Sequence, residues 1–352
     1  MSRRANVAIV VMVTAASLYL SGCGLFGKDN EKLDPPKSVS YLKDGEKLDE
    51  SKDKTAAAPE SQESITTTLY LIDSNGYVVA QQLSLPKTQS VAKQALQYLV
   101  EDGPVAGMLP NGFRAVLPAD TQVDLDVKDG KAIADFSEEF LSYKPEDEKR
   151  ILESVTWTLT QFDSINKVEI RVNGEKLKEM PVNGTPIHPE GVSRTNGINA
   201  DGIAIADITN SHPVTVYYMA QKENGYYYVP VTRRVSNTER DDVTAVVKQL
   251  IQGPGSHSQL VTGFLGDVKL LNDPVIEKGK VTLDFNEAVL GSVGKNVISE
   301  GVLNALVLSL TEQPDIQSVA ITVNGKSELV KESGEPLTEP VTRPVKINAG
   351  SF

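Results

Sequence analysis

Apolar residues along the chain change from a period of two to a helical period and back again, and the whole succession occurs twice. A β-rich run at Leu69-Tyr70-Leu71 leads into Asn75-Gly76 and a second β-rich run, and the same order recurs at Val216-Tyr217-Tyr218 and Asn224-Gly225. Asn-Gly between apolar runs predicts a hairpin with a type I′ turn, because that turn needs positive φ at both central residues. Helical spacing follows at Val91, Ala95 and Leu99, and again at Val243, Val247 and Ile251. Both helices are expected to stop at Gly-Pro, at Gly103-Pro104 and Gly253-Pro254, where glycine supplies a left-handed cap and proline forbids another turn.

A second pair of strands comes next in each copy. Residues 123–127 and 132–136 are joined by Asp129-Gly130, and residues 268–276 and 281–285 by Lys278-Gly279. Longer helices are expected over 146–162 and 297–311, with Ile151, Leu152, Val155 and Leu159 on one face, answered by Ile298, Val302, Leu306 and Leu310. Such stripes are packing faces. Each copy closes on Val172-Asn173-Gly174 or Val323-Asn324-Gly325. The Gly-Pro, Asp-Phe (Asp135-Phe136, Asp284-Phe285) and Val-Asn-Gly landmarks recur at offsets of 150, 149 and 151 residues, so duplication is the economical account. The order β-β-α-β-β-α-β predicts an α+β fold: two tandem modules, each a mainly antiparallel sheet with two helices on one face. The modules are expected at 65–188 and 211–345, with a linker over 189–210, a short strand at 203–205 and a tail at 346–352. With few apolar residues to fix it, the linker reads as a hinge.

The start of the chain points to export. Arg3 and Arg4 precede an apolar stretch over 7–20, shorter than the ~20 residues of a membrane span and of the length of a signal peptide core. It runs into Leu20-Ser21-Gly22-Cys23, which resembles the lipobox of bacterial lipoproteins. The expected signal peptide is residues 1–22, and Cys23 becomes the acylated first residue, N-palmitoyl and S-diacylglycerol. Cys23 is the single cysteine among 352 residues, so it has no disulfide partner. Residues 23–64, with Asp34-Pro35-Pro36 and a charged run over 43–54, cannot bury enough apolar area to fold and read as a flexible tether. Without the signal arginines, 33 basic residues face 47 acidic ones, a formal charge of −14. Nucleic acid is therefore excluded as a direct partner, and membrane attachment falls to the lipid anchor.

The run Leu99-Val100-Glu101-Asp102-Gly103-Pro104, then Val116-Leu117-Pro118, Asp129-Gly130 and Ala134-Asp135-Phe136-Ser137, resembles the GerMN domain, the sporulation and spore germination module. The second copy matches less closely, since Gly263 to Asp267 stand where the first has its proline turn. The resemblance covers nearly the whole mature chain. It implies a cell-membrane lipoprotein on the extracytoplasmic face, in the intermembrane space of the sporulating cell, that helps assemble or stabilise a channel or ring complex and is needed for sporulation and normal germination. It also implies a unit similar to ring-building motifs, with protein partners in that complex, and it allows a homo-oligomer.

Catalytic equipment is sparse. His188, His212 and His257 each stand beside Pro or Ser in a turn-like setting. No Asp/Glu/His cluster has metal-ligand spacing, and there is no Gly-x-Ser-x-Gly elbow, P-loop or Gly-x-Gly-x-x-Gly. Asp135 and Asp284 could form a carboxylate pair, but beside core phenylalanines at hairpin ends they read as turn-capping groups. Neither an enzymatic activity nor a cofactor or metal is expected. Tyr226-Tyr227-Tyr228 offers an interface patch, although as a strand it must turn one or two rings into the core. A solute-, glycan- or wall-fragment-binding lipoprotein is the alternative, against which the hairpin-rich order argues; a wall hydrolase ranks third.

Overall fold

The computed structural model describes residues 63–200, 209–222, 225–239, 241–290 and 296–348. Cys23, nearly all of the tether and the strand expected at 203–205 lie outside the described residues.

In the first repeat β1 (Ser64–Asp73) and β2 (Val78–Pro86) form a long antiparallel hairpin, and β3 (Phe113–Arg114) adds to the other edge of β1. After α1 (Val91–Gln97) a second sheet follows in the order β4 (Val123–Lys128), β5 (Lys131–Phe136), β6 (Lys167–Val172), β7 (Glu175–Lys176). Here β5 and β6 run parallel, because α2 (Glu148–Leu159) carries the chain back between them,. The second repeat has the same plan. It comprises β8 (Ser211–Lys222), β9 (Gly225–Ser236), α3 (Asp242–Gln252), β10 (Leu260–Val261), β11 (Val275–Glu277), β12 (Lys280–Phe285), β13 (Val297–Ile298), α4 (Glu300–Leu310), β14 (Ser318–Val323), β15 (Val330–Lys331) and β16 (Val341–Thr342). Its hairpin sheet is ordered β10-β8-β9 and its mixed sheet β11-β12-β14-β16, with β12 and β14 parallel. The architecture is α+β in two tandem modules, mainly antiparallel, with one parallel pair in each mixed sheet.

The short β3 explains how the helices dock. It reaches only Ile72 and Asp73, so the outward N–H and C=O of Tyr70 have no strand partner. Two hydroxyls of α2 take them: Thr158 Oγ1 accepts from Tyr70 N at 3.1 Å and Ser154 Oγ donates to the Tyr70 carbonyl. In the second repeat Ser309 Oγ accepts from Tyr217 N at 2.8 Å. These buried polar groups satisfy one another and fix the helix on the strand. Apolar side chains from both repeats merge into one contiguous core containing Leu69, Leu71, Trp157, Val229, Leu306 and Phe285.

Local departures from the expected elements have identifiable causes. The helix beginning at Val91 ends at Gln97, well before Gly103-Pro104, because the Leu99 carbonyl accepts from Val116 N and Leu117 N, both at 2.9 Å, and draws the chain into strand-like pairing. The helix of the second repeat does end at Gly253, with φ 77°. Residues 297 and 298 pair with Val330 and Lys331 instead of opening a helix, and α4 starts after the Ser299 cap. The Asn75-Gly76 turn is not type I′: Gly76 alone has positive φ, because Asp73 Oδ1 accepts from Asn75 N and Tyr77 N and shapes the loop itself,. Type I′ geometry belongs to the other turns, with φ 50° and 77° at Asp129-Gly130 and 50° and 79° at Lys278-Gly279. Asn173-Gly174 and Asn324-Gly325 also take it and reverse the chain into further pairing, so neither tripeptide closes its module.

Candidate functional site at the junction of the two repeats

The outer edges of β2 and β9 lie side by side. Exposed strand edges invite unwanted pairing, and here two asparagines occupy the gap. Asn199 Oδ1 accepts from Val78 N at 2.7 Å while its Nδ2 donates to the carbonyls of Val78 and Pro230, at 2.7 and 2.8 Å. Asn348 Oδ1 accepts from Tyr228 N at 2.8 Å, and its Nδ2 donates to the carbonyls of Ala80 and Tyr228, both at 2.9 Å. A shift of 150 residues converts Val78 and Ala80 into Tyr228 and Pro230, so one clasp becomes the other. The junction is an internal isologous interface, with Val79 and Val229 wholly buried near its pseudo-twofold axis,. Both asparagines sit in the left-handed region, φ 46° and 53°, which Asn tolerates better than other non-glycine residues. The carboxamide supplies donor and acceptor together, which is what an unpaired strand edge requires.

The segments that end in these asparagines also carry equivalent arginines, and both reach one carboxylate. Arg194 Nη1 donates to Glu312 Oε2 at 2.8 Å and Arg343 Nη2 to Glu312 Oε1 at 2.6 Å; Tyr217 Oη adds a bond of 2.7 Å. Burial alone would raise the Glu312 pKa, but Arg343 and Arg194 outweigh it and hold the carboxyl at about 2. Burial pushes the Tyr217 hydroxyl well above its ordinary range, so it remains a donor. Arg194 also stacks over Trp157 at 4.3 Å, and Trp157 Nε1 donates to the Gly197 carbonyl at 3.2 Å,. Gln161, the counterpart of Glu312 two residues beyond the end of α2, instead binds both the N–H and the C=O of Thr68 in β1. The counter-charge for Arg194 therefore comes entirely from the other repeat. A third tie joins Tyr227 Oη to Asp73 Oδ2 at 2.7 Å, with Phe113 against the Tyr227 ring.

Each repeat opens a cleft where its hairpin sheet meets the start of its second helix. In the first, of about 450 Å³, Arg114 and Arg150 line the walls and both bind Asp147, at 2.6 and 2.8 Å. In the second, of about 660 Å³, the lining includes Met219, Tyr226, Tyr228, Val261, Gly301 and two glutamates, Glu300 and Glu332.

A family model described as Germane, sporulation and spore germination, matches residues 68–178 and 215–329. Over an alignment of 367 residues the chain is 53% identical to the spore germination protein GerM of Bacillus subtilis (strain 168), covering 100% of both chains. The solved tandem GerMN domains of the sporulation protein GerM from Bacillus subtilis superpose with a TM-score of 0.78 at 58% identity, covering 82% of this chain and 100% of that one. The chain belongs to the GerMN family of sporulation and spore germination proteins. No helix among its described residues is long and apolar enough to cross a membrane.

Within this GerMN pair the residues singled out from sequence fall mostly away from the junction. His188 and His257 are exposed loop residues. His212 lies in β8, not in a turn, with its ring nitrogens bonded to Asn237 Oδ1 at 2.7 Å and Asp242 Oδ1 at 3.0 Å. Asp135 and Asp284 brace turns: Asp135 Oδ1 accepts from Gly174 N at 3.0 Å and Asp284 Oδ1 from Gly325 N at 2.9 Å. The Gly325 N–H, together with Thr322 and Asn272 and against a smaller opposing effect of burial, lowers the Asp284 pKa. Among Tyr226-Tyr227-Tyr228 the middle ring is buried and Tyr226 is 56% exposed, as strand alternation requires. Residues 191–199, expected to lie in a hinge-like linker, are packed: Val192 pairs with Val168 and Ile198 is fully buried. What sequence reasoning missed is a further repeat signal, Val192-x-Arg194-x3-Ile198-Asn199-Ala200 against Val341-x-Arg343-x3-Ile347-Asn348-Ala349, at a constant offset of 149. It runs through segments read as linker and tail.

Proposed function

We propose that the protein is a non-enzymatic scaffold, tethered to the extracytoplasmic face of the cell membrane through an acylated Cys23, that helps assemble or stabilise a channel or ring complex between the membranes of a developing endospore. The single observation that carries this reading is the junction. Two GerMN modules are locked by mutual side-chain clasps into one body, in a chain similar along its whole length to a spore germination protein. The polar groups that the fold brings together there, Arg194, Glu312, Arg343 and the two asparagines, serve each other and hold two module surfaces in fixed register. Presenting fixed surfaces to partners is scaffold work. The tether over 23–64 would span ~35 Å as a flexible chain, enough to hold the body clear of lipid headgroups.

The decisive experiment is crosslinking in intact membranes of sporulating cells, followed by capture of the protein and mass spectrometry. Recovery of channel or ring components supports the scaffold. Retention of a small molecule or glycan with no protein partner favours the binding-lipoprotein reading instead, for which the cleft of about 660 Å³ in the second module is the specific observation,. The anchor is tested separately: Cys23→Ala should abolish metabolic lipid labelling, and normal labelling of that variant removes the anchor from the proposal.

A further inference from the structure

The two clefts occupy equivalent places in the two modules, yet their chemistry is reversed. Strand register establishes the equivalence. Arg114 pairs with Ile72 and Val261 with Met219, and these strand residues correspond between the first and second hairpins. On the following helix, Thr158 and Ser309 make the same bond to Tyr70 and Tyr217, which aligns Asp147 with Ile298, Lys149 with Glu300 and Arg150 with Gly301. In the first module the cleft is stocked with resident cations, and the Arg150 guanidinium packs so closely over Gly76 that a Cβ there would lie 2.5 Å from Arg150 Nη2. In the second module both arginines and their aspartate are gone. Valine and glycine replace the cations, Met219 forms the floor, and Glu300 and Glu332 stand at the rim.

The reversal leaves an open cleft with an apolar floor and an anionic edge. Met219 is adaptable, and a Cβ at Gly301 would lie 3.0 Å from its sulfur, so the glycine keeps the floor accessible. Tyr226 and Val261 remain 56% and 40% exposed. Glu332 Oε2 accepts from Glu300 N at 3.2 Å, but neither carboxylate has a cationic partner among the described residues. β10, which carries Val261, is an edge strand of its sheet among the described residues, where an extended segment can add backbone bonds.

We propose that this second-module cleft docks an extended segment of a partner protein in which a lysine or arginine is flanked by aliphatic residues. The cation takes the place that Arg150 fills internally in the first module, and the aliphatic neighbours cover Met219 and Val261. This rests on the scaffold reading for its biological meaning, but the cleft can be tested without it, so failure here leaves the captured-partner experiment standing.

The test uses the full chain in detergent, labelled with ¹³C at the methionine methyls, and titrated with a synthetic hexapeptide of alternating valine and arginine. The Met219 methyl resonance should shift saturably while Met108 and Met180 stay fixed. Exposed ion pairs are modest individually, so Glu300→Gln with Glu332→Gln together should weaken binding about ten-fold, and Gly301→Arg, which restores a resident cation, should abolish it. An alternating valine and serine peptide should bind at least about ten-fold more weakly than the arginine peptide. Equal binding of the two peptides overturns the proposal, as does an arginine-peptide affinity that survives both sets of substitutions. A Met219 shift that follows protein concentration without peptide also overturns it, by showing that the occupant is a second copy of this chain.

Discussion

Glu312→Gln removes one charge from a cluster in which two guanidiniums depend on it. The side chain of Glu312 is 10% exposed and those of Arg194 and Arg343 are 31% and 29% exposed. Deleting one member of a buried ion pair typically costs ~3–5 kcal/mol, and partial hydration of the arginines reduces this to ~2–4 kcal/mol. The proton equilibrium gives a similar figure: moving a glutamate from 4.5 to about 2 corresponds to ~3 kcal/mol of preference for the charged form in the fold. The sign follows from linkage. A depressed folded-state pKa contributes stability that is fully present above the unfolded value of 4.5 and is lost as the pH falls through about 2,. Trp157, the only tryptophan, lies directly under Arg194 and reports unfolding of the junction by its fluorescence. Urea titration at pH 7 should place Glu312→Gln ~2–4 kcal/mol below the parent, and the gap should narrow steadily below pH 4.5. A gap that is absent at pH 7, or that stays constant down to pH 2.5, would refute the argument that this carboxylate's charge holds the modules together.

Asn348→Ala should cost ~2–3 kcal/mol, because three backbone groups of Ala80 and Tyr228 lose their partner and alanine resists φ near 53°,. Asn348→Gly should recover ~1 kcal/mol of that by relieving the backbone alone, and equal midpoints for the two variants in urea would contradict this division. Truncation after residue 340 leaves the family match intact but removes Arg343 and Asn348; it should lower the urea midpoint and alter the emission of Trp157, although that ring belongs to the first module, and unchanged emission would sink the prediction. Asp284→Ala should cost ~1–2 kcal/mol and Asp135→Ala ~0.5–1, since Asp284 accepts from Gly325 N, Thr322 and Asn272 whereas Asp135 accepts from Gly174 N,. Calorimetry showing the reverse order would count against turn bracing as their role.

Much of the fold was legible because it depends on local chemistry. Asp129-Gly130 and Lys278-Gly279 form the turns their positions suggest, and the stripes from Ile151 and Val302 are the buried helix faces. The failures occur where one specific hydrogen bond or chain crossing overrides a general preference, whether its source is two residues away or in another element. Asn75-Gly76 would favour type I′, but Asp73 supplies two bonds to the loop and selects another turn. Helical spacing continues to Leu99, but the Leu99 carbonyl finds Val116 and Leu117 first. The parallel pairing of β5 with β6 depends on α2 crossing over, which hairpin counting does not register.

The junction was the least legible part, although its letters stand in the sequence twice. Asn199 and Asn348 lie in stretches rich in residues of turns and linkers, and composition there argues correctly that no helix or strand forms. What composition omits is that an asparagine need not belong to an element to complete one, since a side-chain amide can stand in for the neighbouring strand that an edge lacks. Its value appears only when the other module is in place to accept the second half of the clasp. The same logic explains the asymmetry of the charge cluster. Near a pseudo-twofold axis two equivalent arginines converge, and one carboxylate in the turn just after α4 satisfies both, leaving the equivalent position after α2 free for Gln161 to tie down β1 instead. Duplication supplied two copies of each residue, and the shared interface allowed one copy to change employment. The clefts show that same freedom one step further out, where Arg150 fills a space that Gly301 leaves open.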